Sequence, residues 1–194
     1  MIFPNYRQQL ILGSVLIFLL VLTRGHHFAS INQLPAASWA VFFLAGVYLR
    51  PLWVLPTLLL TAFGLDLIAV TWGGVSNFCV SPAYPFLLPA YGSLWLGGRW
   101  LRRHITLQWS GLLPLIAAVV GSAFVCDLFS SGGFYFFSGR FEQTTLIEFG
   151  SRVVTYFPPY LASMAFYIAV AAVLHVVVHR IQHAQHSGGQ TSNP

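Results

Sequence analysis

Apolar segments separated by short polar connections make up most of the chain. They cover residues 4–23, 35–50, 51–72, 82–98, 109–129 and 152–179, and they predict six helices, the last interrupted at Pro158 and Pro159. Runs of this kind suit the roughly 30 Å hydrocarbon core of a bilayer. The pattern predicts an all-α integral membrane protein in which residues 1–180 form a six-transmembrane-helix bundle. The polar residues 181–194 predict a disordered C-terminal tail.

Small residues recur four positions apart inside these apolar segments. Such spacings let helix backbones approach closely in lipid, where hydrophobicity alone gives helices no reason to associate. The pairs are Ala36 with Ala40, Ala117 with Gly121, Ala118 with Ser122, and Ala165 with Ala169. They indicate a packed bundle and say nothing more specific about function.

The composition excludes a soluble globular domain. The 194 residues are 57% hydrophobic and 7% charged, with a mean hydropathy of +0.73, whereas soluble domains carry roughly 25% charged residues. The first apolar run is followed by Arg24, Gly25, His26 and His27 without a small-x-small cleavage site. It is therefore interpreted as a retained first helix rather than a signal peptide.

All nine basic residues are arginines, and their distribution indicates topology rather than nucleic-acid binding. They lie singly or in small groups between apolar segments, without the clustered face typical of nucleic-acid recognition. With six helices, the termini share one side with Arg7, Arg50, Arg99, Arg102, Arg103 and Arg180, against Arg24, Arg140 and Arg152 on the other. The positive-inside rule then predicts that both termini are cytoplasmic. The four acidic residues, the two histidines after Arg24 and Cys79 consequently fall at the outer side.

The polar segment at residues 72–89 carries Cys79 at its centre. Its helix-breaking residues are Gly73, Gly74, Pro82 and Pro85. A thiol on such a turn is a candidate ligand, because binding a soft metal would ionise it, and Tyr84 could present its hydroxyl to the same cavity. Cys126 lies in an apolar run and is interpreted as a packed, inert thiol, while a meeting of the two cysteines at the outer face stays open.

Asp66 is an acidic residue inside an otherwise apolar segment. A carboxylate at membrane depth is costly unless it is paired or hydrated, so it marks a ligand or ion pathway. The alternative is a structural pair with an arginine such as Arg152. The two interpretations are compatible with each other.

Two further features each have two possible interpretations: the adjacent histidines His26 and His27, and the aromatic segment at residues 134–141. The side chains of His26 and His27 point in different directions because they are adjacent, so at most one is expected to reach a central cavity. An exposed loop histidine without a role is the commoner case, and a ligand is the other. The aromatic segment at residues 134–141 predicts either a belt at the membrane interface or a lid over a large apolar ligand.

Three stretches carry a resemblance to a known family: PAASWAVFFLAGVYLR, LTAFGLDLIAVTWGGVSNFCVSPAYPFLLPAYGSLWLGGRW and PPYLASMAFY. Together with six hydrophobic helices and outward polar residues, they resemble the S-components of energy-coupling-factor (ECF) transporters, small membrane proteins that bind vitamins. Within these, the chain resembles the bacterial cobalamin-specific BtuM type. The resemblance covers nearly the whole chain, and residues 66–84 are its most specific part.

The resemblance implies a substrate-binding domain that captures cobalamin, a corrinoid, from the outer side of the bacterial inner membrane. Cys79 would supply a thiolate to the corrinoid cobalt and displace an upper ligand such as cyanide. Four residues would line the pocket: His27, Asp66, Tyr84 and Arg152. A histidine, with His27 preferred, or water would occupy the opposite face of the cobalt. The implied partners are the lipid bilayer and an ECF-type ATPase and coupling module.

The first helix departs from the family pattern. It lacks the Ala-x-x-x-Ala spacing through which many S-components dock the coupling subunit, and its small mid-helix residues are Gly13 and Ser14. The chain also has no phosphate-binding Gly-x-x-x-x-Gly-Lys-Ser/Thr loop, so it is not the ATPase itself.

Other function classes remain alternatives. One is a membrane thiol enzyme with Cys79 as nucleophile and His27 or Asp66 as base. Another is a transporter of a different vitamin or of a metal, with Asp66 and the histidines as ligands. A purely structural role would leave the intramembrane carboxylate and the outward thiol without an explanation.

Overall fold

The computed structural model describes residues 5–24, 36–72, 81–104 and 109–188. These residues form six α-helices and no strand: α1 (Tyr6–Arg24), α2 (Ser38–Tyr48), α3 (Val54–Thr71), α4 (Leu87–His104), α5 (Leu112–Phe137) and α6 (Leu146–Gly188). Short 3-10 turns, Tyr84–Phe86 and Trp109–Gly111, precede α4 and α5. The prediction of an all-α fold is confirmed for this part of the chain.

Four helices are long and apolar enough to cross a membrane: α1, α3, α5 with the turn before it, and α6 as far as Val178. This indicates a membrane-embedded protein. The other two helices do not meet the same criterion of length and hydropathy, so the predicted number of six transmembrane helices is not confirmed. The 11 residues of α2 are about 16 Å long, roughly half the thickness of a bilayer core, and α4 carries three arginines near its end.

Local hydrogen bonds fix where two of the helices begin. The N–H of Gln8 donates to Oδ1 of Asn5, and the N–H of Asn5 donates to Oε1 of Gln8, which is a reciprocal cap at the start of α1. At the start of α6, the N–H of Glu148 donates to Oγ1 of Thr145. This cap lets α6 begin six residues before the predicted start at Arg152.

The segment between α5 and α6 is shorter than the sequence predicts. α5 continues beyond the predicted end at residue 129 to Phe137, through a pair of glycines. These glycines are packing sites, since a Cβ at Gly133 would overlap the ring of Phe86 and one at Gly132 would lie 3.2 Å from Phe149. The chain turns at Gly139, whose φ of 69° favours glycine and ends the helix.

α6 also differs from its prediction at two places. It continues through Pro158 and Pro159, where the sequence predicts an interruption. Each proline removes one backbone donor, and membrane helices tolerate such losses without ending. The helix then extends to Gly188, so residues 181–188 of the predicted tail are helical; the first glycine after Arg180 is at this end. Residues 189–194 lie outside the described part.

α2 is the centre of the bundle, and nearly all its side chains are buried. It crosses α4 at two glycines: a Cβ at Gly46 would overlap the carbonyl oxygen of Trp95, and one at Gly98 would overlap that of Phe43. Both obstacles are backbone atoms, which cannot rotate away. This close approach seats the two helices against each other and holds the buried core at their crossing.

Small residues also make the contact between α4 and α5. A Cβ at Gly97 would meet the side chain of Ser122 and approach the carbonyl oxygen of Ala118. The predicted packing role of the Ala118 and Ser122 pair is therefore confirmed. The pairs of Ala117 with Gly121 and of Ala165 with Ala169 are exposed instead, so they do not pack within the described bundle.

The two ends of the bundle differ in charge. At one end, the backbone N–H of Arg50 donates to Oε1 of Gln9 (3.0 Å), and Nη1 of Arg99 donates to the carbonyl of Arg50 (3.1 Å). These contacts join the start of α1 to the ends of α2 and α4, and we call this the basic end. At the opposite end, the end of α1 meets the start of α2 and the C-terminal half of α3.

Exchanging glycine for alanine at two positions tests the crossing of α2 and α4. Gly46→Ala should lower the thermal midpoint in detergent, because overpacking against backbone costs about 1–3 kcal/mol. Gly92→Ala in α4 is the matched control, since its Cβ meets nothing within 4 Å and alanine favours helix by roughly 1 kcal/mol. Equal midpoints for the two variants would contradict the crossing.

Candidate functional site

A buried ion pair lies at the end of the bundle opposite the basic end. Arg24, the last residue of α1, donates from Nε to Oδ1 of Asp66 and from Nη2 to Oδ2, both at 2.7 Å. The geometry is the bidentate fork in which a guanidinium binds a carboxylate most specifically. Both side chains are largely buried, so solvent screens this pair far less than a surface pair.

Three hydroxyl groups extend this pair into a network. The hydroxyl of Tyr84 donates to Oδ2 of Asp66 at 2.7 Å. Nη1 of Arg24 donates to the hydroxyl oxygens of Tyr91, at 2.7 Å, and Ser38, at 3.2 Å. The network of these five residues therefore connects α1, α2, α3, the turn before α4 and α4 itself. We call it the Arg24–Asp66 network.

The elements around the network explain its geometry. Tyr91 is stacked on Phe42 of α2, with ring centroids 4.3 Å apart, which holds the phenol beside the end of α1. The side chain of Tyr84 packs edge-on against Phe63 of α3, at 5.6 Å. Aromatic packing thus orients each tyrosine so that its hydroxyl reaches the ion pair.

The structure resolves the alternatives for the partner of Asp66. A structural pair with an arginine is confirmed, but the partner is Arg24 and not Arg152. Asp66 and Tyr84, both predicted site residues, lie together. Arg24, Tyr91 and Ser38 were not predicted; the available signal was that Arg24 and Asp66 are opposite charges at the same predicted side.

Arg152 lies in a second cluster at the start of α6. Its Nη2 is 3.2 Å from Oε1 of Glu148, and its guanidinium lies over the rings of Tyr135 and Phe141, at 5.2 and 4.6 Å from their centroids. The hydroxyl of Tyr135 in turn donates to Oε2 of Glu148 at 2.9 Å. The aromatic rings at residues 134–141 therefore include direct packing partners of Arg152.

The predicted residues Cys79, His26 and His27 lie outside the described residues. Cys79 belongs to residues 73–80, which join Trp72 at the end of α3 to Ser81 before the turn of Tyr84. The hydrogen bond between Asp66 and Tyr84 consequently joins the two chain segments that flank Cys79. Within the described ranges, no group of three His, Cys, Asp or Glu side chains could hold a metal ion.

Two further polar groups are buried in α5. Cys126 is a buried free thiol, as predicted for an inert packed cysteine. Asp127 is 1% exposed, and its Oδ1 accepts a hydrogen bond from Ser131 at 2.7 Å, whereas its Oδ2 has no partner among the described residues. Neither ion pair found in the described ranges includes Asp127. The two intramembrane carboxylates therefore have opposite surroundings.

A scan against protein-family models finds no match to this chain, and a search of curated proteins finds no similar sequence.

Replacing each buried aspartate by asparagine tests this contrast. Asp66→Asn should lower the free energy of unfolding by about 3–5 kcal/mol, because it leaves the Arg24 guanidinium buried without a counter-charge. Asp127→Asn should change it by less than about 1 kcal/mol, because the amide oxygen still accepts from Ser131 and no cation loses its partner. Denaturant unfolding in detergent measures both values. A similar loss in the two variants would show that the ion pair does not stabilise the fold.

Proposed function

We propose that this protein is a cobalamin uptake protein of the bacterial inner membrane, similar to the S-components of ECF transporters. All six helices would pass through or into the bilayer, with both termini cytoplasmic. The site would capture corrinoid from the outer side, and release inward would need a conformational step driven by a partner ATPase and coupling module. The observation that carries the proposal is the Arg24–Asp66 network, since it ties both flanks of the Cys79 segment to the bundle.

Several features of the network suit a large ligand with polar side groups. It sits where four helices meet at one end of a membrane bundle, and it brings Tyr84 next to Asp66. A buried ion pair with full hydrogen bonding is a rigid base, which keeps a binding site in one geometry. Corrin rings carry amide side chains, which both donate and accept hydrogen bonds, so outward hydroxyl groups are matched partners for them.

The proposed chemistry is ligand exchange at cobalt(III) without a change of oxidation state. The Cys79 sulfur donates an electron pair to the cobalt and gives up its proton. Cyanide leaves the cobalt with its own electron pair and takes up that proton, so hydrogen cyanide is the product. His27 would lie at the opposite face of the cobalt. The pocket would be lined by Asp66, Tyr84 and Arg152.

The geometry of Asp66 weakens the alternative of a membrane thiol enzyme. Arg24 occupies both carboxylate oxygens, and Tyr84 donates a further hydrogen bond to one of them. A thiol could transfer its proton to this carboxylate only after a hydrogen bond of the network is broken. That alternative then depends on His27 as base. A transporter of another vitamin or metal predicts instead that Cys79→Ser leaves ligand binding intact.

The visible spectrum of the purified protein tests binding. Protein from cells supplied with cobalamin should retain corrinoid absorption, and Cys79→Ala should lose the part of the spectrum that thiolate ligation of cobalt produces. Cys126→Ala removes the buried thiol of α5 and is the matched control, so its spectrum should equal that of the wild type. Wild-type protein without corrinoid absorption would overturn the proposal.

Release of hydrogen cyanide tests the ligand exchange separately. Incubating the protein with cyano-corrinoid should release about one equivalent of cyanide per bound corrinoid, because one thiolate replaces one cyanide. Cys79→Ser has no thiolate to replace the cyanide and should release none, whereas Cys126→Ser should release cyanide as the wild type does. Unchanged spectra and no cyanide from the wild type would rule out the exchange while leaving binding open to the first measurement.

A further inference from the structure

The basic end of the bundle carries an arginine cluster made of Arg50, Arg99, Arg102 and Arg103. Arg99 is held in place, because it donates to the carbonyl of Arg50 at 3.1 Å and its guanidinium lies 4.6 Å from the ring centroid of Trp95. Arg102 and Arg103 follow it within the last two turns of α4. The four side chains are therefore gathered at the ends of two neighbouring helices.

The acidic side chains of the sequence belong to elements other than those that carry this cluster. The whole sequence has only four: Asp66, Asp127, Glu142 and Glu148. Asp66 belongs to the network at the opposite end, and Glu148 pairs with Arg152 at the start of α6. Asp127 and Glu142 lie in the second half of α5 and in the connection after it. The basic end thus concentrates positive charge, while the four acidic side chains lie in other parts of the described structure.

The arginines in the cluster act on each other. Partial burial, together with the positive charges of Arg50 and Arg99, lowers the pKa of Arg102 below its ordinary value. Burial is the larger cause of this lowering, and repulsion from the two neighbouring guanidiniums adds to it. An anion placed among the guanidiniums would remove that repulsion and gain charge-assisted hydrogen bonds.

Exposed tryptophans lie at the same helix ends. Trp53, Trp100 and Trp109 are 57%, 44% and 89% exposed, and each lies within a few residues of the ends of α2 or α4 or at the start of α5. Tryptophan in a membrane protein prefers the level of the lipid headgroups. This placement favours a lipid headgroup over a soluble polyanion as the source of the anion.

We propose that the arginine cluster binds the headgroup of an anionic phospholipid. The phosphate would lie among the guanidiniums of Arg50, Arg102 and Arg103, with the acyl chains beside the exposed tryptophans. The proposal concerns the bundle end opposite the Arg24–Asp66 network, so it is independent of the proposed cobalamin site. It also holds for either orientation of the protein in the bilayer.

Quenching of tryptophan fluorescence by brominated lipids tests this proposal in the full-length protein. Trp72→Phe removes an 83% exposed tryptophan at the other end of α3, so that the exposed reporters lie at the basic end. In mixed vesicles, brominated phosphatidylglycerol should quench more strongly than brominated phosphatidylcholine at low salt. The ratio of quenching by the anionic lipid to quenching by phosphatidylcholine should approach one in about 1 M salt, where the screening length is roughly 3 Å.

Charge-removing variants identify the residues responsible. Each of Arg102→Gln and Arg103→Gln should lower the preference for the anionic lipid by about fivefold, since an arginine near an anionic surface contributes about that factor. Arg140→Gln, in the connection between α5 and α6, should leave it unchanged. Arg103 is exposed, so its variant tests the proposal even where the variant of the partly buried Arg102 does not fold.

Three results would overturn the proposal. The first is equal quenching by the two brominated lipids at low salt. The second is a decrease in quenching by brominated phosphatidylglycerol that is larger with inorganic phosphate than with sodium chloride at equal ionic strength. That result would identify a site for a free anion. The third is equal quenching together with binding of polyglutamate that Arg103→Gln abolishes, which would identify an acidic protein surface as the partner.

Discussion

The bidentate pair of Arg24 and Asp66 is the constraint on which one end of the bundle depends. In apolar surroundings neither charge can be left without the other, so the end of α1 and the C-terminal half of α3 must stay together. The same guanidinium donates to Ser38, and the N–H of Ala37 donates to Oγ1 of Thr23 at 3.3 Å, so the start of α2 is held as well. One arginine thus positions a helix too short to span the membrane by itself.

The crossing of α2 and α4 applies a second constraint of a different kind. It depends on close packing: Gly46 and Gly98 let two backbones touch, and the surrounding apolar side chains fill the space beside them. The Arg24–Asp66 network therefore holds the beginning of α2, while close packing holds its end together with the hydrogen bonds of the Arg50 backbone. Any conformational change of the bundle has to carry the α2 and α4 pair as one body, or else supply new partners to Arg24 and Asp66.

Hydropathy predicted the existence of all six helices because desolvation of an apolar run decides where membrane helices form. It failed at the junction of α5 and α6, where Gly132 and Gly133 have the composition of a loop but serve as packing sites for Phe149 and Phe86. The partner of Asp66 was equally beyond a sequence argument. Arg24 and Arg152 are both predicted to lie on the same side of the membrane as Asp66. Only the packing of α1 on α3 determines which of the two arginines pairs with it.

The hydrogen-bond directions within the network specify what it offers a ligand. Both oxygens of Asp66 accept hydrogen bonds from Arg24, and a neutral amide is a weaker donor than this guanidinium, so under the proposed function Asp66 would act as a positioning residue. The hydroxyl proton of Tyr84 is committed to Asp66, which leaves the lone pairs of its oxygen free to accept. Tyr84 would therefore accept a hydrogen bond from an amide N–H of the ligand. Removing that hydroxyl should then weaken amide-bearing corrinoids more than analogues with ester side chains.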